Sequence, residues 1–336
     1  MTRRASWLLP AGLLLFAAVV ASQGATTVLA ALAVAQWGLL LVAPYHLVPL
    51  LIDAAAIHVL LDRSEPRSSW SGALLARWAG ETANSVMPAG QIGGPVVMAR
   101  HLIQRGVAAD DAVAAITVST TFQTLAQLLF ALIGLLLLAS HGGRLADRGF
   151  GFGLLTGAAA LGLLVCLFYL LQRRGLFAAL ARLGTRLPGR RTGDAGPKLV
   201  ERAAAIDQAI KSAHSRGGRI AATLFLSLIG WLVGTGEVYW MLALVSHPVS
   251  WSDALLIESL GQAIRGAGFA IPGSLGVQEG GYLLIGSLVG LTPDVALALS
   301  LGKRAREILW ALPGLLCLHR FEQAWRRRRL AAALSE

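Results

Sequence analysis

Two segments of this chain, 184 residues apart, carry the same Pro/Gly break inside apolar sequence. The first is Asn84-Ser-Val-Met-Pro88-Ala-Gly90-Gln-Ile-Gly93-Gly94; the second is Phe269-Ala-Ile-Pro272-Gly273-Ser-Leu-Gly276-Val-Gln278-Glu279. In each, a Gly follows the Pro by 18 positions (Gly106, Gly290), an Asp by 22 (Asp110, Asp294), and an Ala comes two residues later (Ala112, Ala296). Proline removes a helix donor and clashes with the preceding turn, so each motif ends a helix within apolar sequence. In a bilayer such irregular backbone survives only where protein or a polar cavity satisfies it. Paired breaks of this kind are the sequence mark of a transporter built from internal repeats, with its site where the breaks meet.

Composition gives the class. Apolar residues make up 55% and charged residues 14%, against about 25% charged in a soluble domain. Apolar runs near the bilayer length of about 20 residues recur throughout, which predicts one integral membrane domain over 1–336. The net charge of +11 does not point to nucleic acid, because the Arg and Lys cluster in loops beside apolar spans, where they set topology and attract anionic lipid. Cys166 and Cys317 both lie in apolar runs, which excludes a disulfide framework and a cysteine metal site.

Full spans are predicted near 8–22, 28–52, 111–139, 150–171, 219–245 and 295–318, the first a retained helix rather than a cleaved leader. The two interrupted segments, 70–104 and 252–290, are predicted as re-entrant helical hairpins. Arg3 and Arg4, the 172–219 segment with eleven Lys/Arg against three acids, and the tail with Arg320 and Arg326 to Arg329 must all be cytoplasmic by the positive-inside rule. That parity holds only if neither hairpin crosses. The first then enters from the cytoplasm, flanked by Arg63, Arg67, Arg77, Arg100 and Arg105, and the second from outside, beside His247, Asp253 and Asp294. Arg144 and Arg148 on the outer side fit this scheme less well. The expected fold is therefore an all-α polytopic bundle, six spans plus two hairpins. Its inverted pseudo-repeats are 1–171 and 219–318, joined by a basic cytoplasmic loop at 172–218 and followed by a basic tail at 319–336, with both termini cytoplasmic. Within the loop, Leu187 to Pro197 reads as a linker. Lys198 to Ser212 reads as an amphipathic helix with Leu199, Ala203, Ile206 and Ile210 on one face, suited to the inner leaflet surface or to a plain solvated linker.

Charged groups inside apolar segments cost about 2.5–3.5 kcal/mol each on insertion scales, so they call for a reason. Here they are Glu81, Arg100, Glu237, Glu258, Arg265, Glu279, Lys303, Arg304, Arg306 and Glu307, gathered around the two motifs and in the last span. Broken helices offer free backbone N–H groups, and Arg offers a bidentate match to phosphate. The two motifs are thus expected to frame a lipid-headgroup site. Pro88, Gly90, Gly93 and Gly94 would form one lip and Pro272, Gly273, Gly276 and Gln278 the other. Arg265 and Arg304 would hold an anionic group, Glu279 and Glu81 would orient them, and Asn84 and Arg100 would assist. Glu237 or Glu279 could couple protons, with passive scrambling equally open. Alternatively Arg265–Glu279 and Arg304–Glu237 are structural ion pairs, and Lys303 and Glu307, one turn apart, satisfy each other. His46, Asp53, His58 and Asp62 lie near the second span, but no spacing supplies the further ligands of a metal site, so satisfied interfacial histidines are expected. Neither a phosphate loop ending in Gly-Lys-Ser/Thr nor a Gly-x-Ser-x-Gly elbow occurs; no cofactor, metal or catalytic nucleophile is predicted.

The segment Leu260-Gly-Gln-Ala-Ile-Arg265-Gly-Ala-Gly-Phe-Ala-Ile-Pro272-Gly-Ser-Leu-Gly276-Val-Gln278-Glu279, continuing through Lys303-Arg304-Ala-Arg306-Glu307 to Leu312-Pro313-Gly314, resembles the flippase-like membrane family that includes the transmembrane half of lysyl-phosphatidylglycerol synthases. Glu81-x-x-Asn84-x-x-x-Pro88-x-Gly90-x-x-Gly93-Gly94, followed by Arg100, matches it as well. Within the family the resemblance is greatest to the hopanoid-biosynthesis-associated membrane proteins. It implies translocation of an anionic or isoprenoid-derived lipid in a bacterial inner membrane, with lipid-biosynthesis enzymes as partners. Nothing in the sequence resembles the aminoacyltransferase domain of the full synthases, so synthase activity is not expected. A membrane enzyme or accessory subunit that modifies such a lipid, and a small-solute permease, are the alternatives.

Overall fold

A computed structural model of the protein describes residues 38–61, 69–86, 93–140, 148–186, 195–268, 271 and 274–334. These fold into helices α1 (Gly38–Tyr45), α2 (Leu47–Leu60), α3 (Trp70–Val86), α4 (Gly93–Gln104), α5 (Ala109–Ser140), α6 (Arg148–Arg173), α7 (Leu176–Arg186), α8 (Ala195–Ser215), α9 (Gly217–Leu244), α10 (Trp251–Ala267), α11 (Val277–Leu288) and α12 (Pro293–Leu334), with no strand among the described residues. The predicted span over 8–22, the linker at 187–194, Pro88, Gly90, Pro272 and Gly273 lie outside the described residues.

Both interrupted segments are antiparallel helix pairs, α3 against α4 and α10 against α11. Each pair then turns into a long helix by the same device. After α4, Gly106 adopts φ 95° and its N–H donates to the Ile103 carbonyl at 2.9 Å, while Val107 N–H donates to Leu102 O at 3.1 Å. After α11, Gly290 adopts φ 83°, with Leu291 N–H donating to Gly286 O at 2.9 Å. A left-handed residue closing the last carbonyls of a helix in this way favours Gly, which explains the paired glycines. Acidic residues then open both long helices, Asp110 and Asp111 on α5 and Asp294 on α12, at the positive end of the dipole. Ala112 and Ala296 are both buried.

The packing is mirrored as well. The first hairpin's α3 lies on α2, α4 and α12, and the second hairpin's α10 lies on α9, α11 and α5. Each therefore crosses the long helix that follows the other hairpin, and each crossing is made at a glycine. A Cβ on Gly134 of α5 would collide with the Ser259 hydroxyl, and one on Gly314 of α12 with the Thr82 hydroxyl. Two apolar cores result. One is built on Val238, Leu242, Leu256, Leu260, Tyr282 and Ile285, and the other on Ile57, Met98, Leu102, Ile116, Phe122 and Ile210.

Among the described residues, three helical segments are long and apolar enough to cross a bilayer, Val42–Leu60, Ala109–Ser140 and Gly217–Leu244. A fourth arises if Gly162–Arg173 and Leu176–Thr185 count as one segment bent by 80°. This fits a multi-pass membrane protein. The predicted spans shift accordingly. The run at 28–52 is broken at His46 and continues to Leu60. The run at 150–171 bends at Gly175, φ 91°. The run at 295–318 belongs to a 42-residue helix that carries Lys303, Arg304, Arg306 and Glu307 in one turn and reaches the basic tail.

The amphipathic helix expected at 198–212 exists over Ala195–Ser215, but its apolar face covers protein rather than lipid. It packs on α5 and α7, with Ile210 and Ala203 buried and Leu199 exposed. Its Asp207 carboxylate accepts from the N–H groups of Phe177 and Ala178 at 3.0 and 2.8 Å, capping α7 from a neighbouring helix and satisfying donors that a helix start leaves open.

Candidate functional site

A cavity of about 230 Å³ lies where the two hairpins face each other, bounded by α2, α3, α5, α9, α10 and α12. The first hairpin contributes Arg77, Glu81, Asn84 and Ser85, the second Glu258, Gln262, Arg265 and Ser274, and α12 contributes Arg306 and Glu307. Helix α5 adds Thr120, Gln123, Thr124 and Gln127, a polar stripe at i, i+3, i+4 and i+7 on its cavity face.

One turn of α12 organises the charges. Successive residues step by about 100°, so residues 303 and 307 share a face while 304 and 306 flank it. Lys303 Nζ meets Glu258 Oε2 of α10 at 2.5 Å, and Glu258 also accepts from Gln262 at 2.9 Å and from the Tyr282 hydroxyl at 3.2 Å. Glu307 accepts from Arg265 Nη1 of α10 at 2.6 Å. Arg304 Nε donates to Glu279 Oε1 of α11 at 3.0 Å, and its Nη1 to Glu307 Oε2 at 3.2 Å. Arg306 faces the other way, with Nε donating to Glu237 of α9 at 2.8 Å and Nη1 lying 3.4 Å from Glu81 of α3.

These pairings replace the expected ones. Lys303 and Glu307 do not satisfy each other; each reaches across to α10. Arg265 pairs with Glu307, not Glu279, and Glu237 pairs with Arg306, not Arg304. Glu279 also accepts from the N–H of Gly276, φ 79°, at 2.6 Å, so its carboxylate holds the start of α11 as well as Arg304.

Of the residues expected to form the site, Glu81, Asn84, Arg265 and Glu237 line the cavity. Asn84 also accepts from Gly94 N–H at 2.8 Å, tying the end of α3 to the start of α4, where Gly93 opens the helix. Gly276, Gln278, Glu279 and Arg304 stand behind the cavity wall, with Gln278 and Glu279 fully buried. Arg100 is exposed on α4 and does not line the cavity.

Several site residues escaped the sequence reading. His46, expected as an interfacial histidine, sits at the junction of α1 and α2 with Nε2 2.6 Å from Glu81 Oε1 and Nδ1 3.5 Å from Glu237 Oε2. Two neighbours pin that junction. Trp310 Nε1 donates to Ala43 O at 2.7 Å, and the Tyr45 hydroxyl donates to Val233 O at 2.8 Å. Asp53 accepts from Arg77 at 2.7 and 3.1 Å and from Gln123 at 3.0 Å, so Arg77 belongs to the site rather than to a loop flank. His46 and Asp53 lie seven residues apart on an apolar helix, and that spacing, with the α5 stripe, was the signal available. His58 instead packs edge-on to Trp70, and Asp62 lies outside the described residues.

The cavity wall holds five carboxylates (Asp53, Glu81, Glu237, Glu258, Glu307) against three guanidinium groups (Arg77, Arg265, Arg306) and His46. Arg265, Arg304 and Arg306 are all ion-paired. The site is therefore polar, largely charge-matched and acidic on balance, in a bundle whose other faces are apolar.

No curated protein and no solved structure matches the chain. The family model described as the lysylphosphatidylglycerol synthase TM region matches residues 7–314, and on that extent, with the apolar helices and the two broken hairpins around one polar cavity, the chain belongs to that family.

Proposed function

We propose that this chain moves a polar-headgroup lipid between the leaflets of a membrane without altering it chemically. The observation that carries this reading is a charged cavity walled by both Pro/Gly hairpins inside an apolar bundle. A headgroup leaving water must regain charge-assisted hydrogen bonds, and the wall supplies them while apolar helix faces accommodate the tails. A family whose description names the TM region of a lysylphosphatidylglycerol synthase is in keeping with this role.

The charge balance bears on the headgroup. An anionic group would have to displace a carboxylate from Arg265 or Arg306, whereas the acidic excess favours a headgroup that brings an ammonium or several hydroxyl donors. An isoprenoid-derived lipid bearing such a group, a hopanoid among them, meets this description. The mirrored turns at Gly106 and Gly290 and the mirrored crossings at Gly134 and Gly314 support an inverted repeat with re-entrant hairpins. On this reading the protein sits in a bacterial inner membrane with both termini cytoplasmic.

The test is purified protein in liposomes carrying a fluorescent amine-headgroup lipid. Redistribution of label between leaflets without chemical change supports the translocator. A modified lipid would point to a membrane enzyme, and uptake of a soluble solute to a permease. Single cysteines at Ser140 and Ser246 should label from outside. Cysteines at positions 70 and 106 should label from one side, and opposite sides would sink the first re-entrant hairpin.

A further inference from the structure

Among the described residues, the ion pairs of the site balance in every group but one. Asp53 is matched by Arg77, Glu258 by Lys303, and the carboxylates of Glu279 and Glu307 by the guanidinium groups of Arg304 and Arg265. The last group sets Glu81 and Glu237 against Arg306 alone. It lacks one positive charge, and His46 stands between its members.

The contacts of His46 Nε2 make that lack a matter of one proton. This nitrogen lies 2.6 Å from Glu81 Oε1 and 3.1 Å from Arg306 Nη1. An ionised carboxylate only accepts and a guanidinium only donates, while an imidazole nitrogen carries either a hydrogen or a lone pair. With the hydrogen, Nε2 donates to Glu81 in a short charge-assisted bond, and Arg306 turns to the carboxylates. Without it, Nε2 accepts from Arg306, and a lone pair faces Glu81 at a separation that only a proton makes favourable. The cation carries hydrogen on both nitrogens, so Nε2 donates to Glu81 while Nδ1–H faces Glu237 at 3.5 Å. The neutral ring keeps only one, and then either Nδ1 turns a lone pair to Glu237 or Nε2 turns one to Glu81 and Arg306. From the elements packed on it, His46 is faced by Glu81 of α3, Glu237 of α9, and Arg306 and the Trp310 ring edge of α12. Beyond them, Asp53 lies within electrostatic reach of His46, Arg77 of Glu81, and Lys303 of Glu237. Glu81 is the carboxylate of this group that a ligand reaches, its side chain 23% exposed against 3% for Glu237.

We infer that His46 holds the exchangeable proton of the site, taken from and returned to water, and that a cationic headgroup arriving at Glu81 displaces it. Resting on the translocator reading, this makes transport an exchange of headgroup for proton and places the coupling group at His46 rather than at Glu237.

Two measurements separate this inference from the reading beneath it. The first is ¹⁵N-histidine NMR of the full chain in phosphatidylcholine nanodiscs, with the His46 signal assigned by its loss in His46→Gln. The imidazole is expected to titrate within about pH 5–8, the range open to histidine. Its midpoint should move to lower pH when phosphatidylethanolamine is added, and should stay put with phosphatidylglycerol. Glu81→Gln restores the charge balance without a proton, so its His46 midpoint should fall; this variant carries the test if His46→Gln does not fold. An imidazole that does not titrate in that range, or whose midpoint ignores both the amine lipid and Glu81→Gln, overturns the inference. The second is leaflet redistribution of fluorescent phosphatidylethanolamine in phosphatidylcholine liposomes between about pH 5 and 8. The wild-type rate should change at least threefold and that of His46→Gln should lose its pH dependence. A pH-independent wild-type rate overturns the coupling and leaves the translocator. No redistribution at any pH, with the NMR shifts present, removes the translocator and leaves the proton site.

Discussion

The two hairpins share a motif and a fold but not an environment. Around the second hairpin Glu258 and Arg265 reach the cavity but are fully paired, and the charges behind them are sealed. Glu279 is 0% exposed and held by Arg304 and the Gly276 N–H, and Lys303 is 1% exposed and held by Glu258 and the Tyr282 ring, so this half reads as a latch between α10, α11 and α12. Around the first hairpin Glu81, Asn84 and Arg77 face the cavity, and Glu81 shares its charge among His46, Arg306 and the open space. Buried ion pairs seldom add net stability, yet removing one partner strands a desolvated charge. The same type of residue therefore serves structure on one side and ligand chemistry on the other, depending on whether water or a headgroup can replace its partner.

Four substitutions test that contrast. The greatest loss is expected from Lys303→Met, which leaves Glu258 buried without its cation, about 3–5 kcal/mol. The detergent melting temperature and folded yield would report it, and adding Glu258→Gln should recover most of the loss. Full stability in the single variant would break the latch idea. Arg304→Gln follows, because Arg304 bridges two buried carboxylates; about 1.5–3 kcal/mol of stability should go with it. Loss of transport with the fold intact would return Arg304 to the ligand site expected from the sequence. Glu81→Gln should cost about 1 kcal/mol or less, since water can solvate the group. Lipid redistribution in liposomes should nevertheless fall about tenfold, equivalent to about 1.4 kcal/mol at the barrier. Equal loss of fold and transport would erase the difference between the hairpins. Arg100→Gln, on the exposed face of α4, should change stability by no more than about 0.5 kcal/mol and leave transport unaltered. A large transport defect would extend the site beyond the cavity.

The helix breaks were legible in the sequence because they are local. Proline and glycine act on their own turn, so the interruptions of 70–104 and 252–290 emerge as α3/α4 and α10/α11, and the glycines 18 residues after each proline emerge as matching left-handed turns. The one-residue interruption between α1 and α2 at His46 was less visible: Pro44 and Pro49 bracket it, but the apolar run continues through them. The amphipathic face of α8 was visible while its target was not, since an apolar stripe fits a lipid surface and a helix surface equally well.

Apolar length, charge clusters and paired Pro/Gly breaks by themselves determined a membrane bundle with two broken hairpins and placed its buried charges near those breaks, because all these follow from the periodicity and backbone chemistry of short segments. Only the tertiary structure decided which charge meets which. From about one turn, Lys303 and Glu307 reach α10, Arg304 reaches α11 and Arg306 reaches α9 and α3, and their partners lie 25 to 260 residues away in the chain except for the Arg304–Glu307 contact. Coulomb attraction depends on separation and burial, not on sequence distance. The chain thus carries the charges for a latch and a cavity alike, and folding sorts them by where the helices cross.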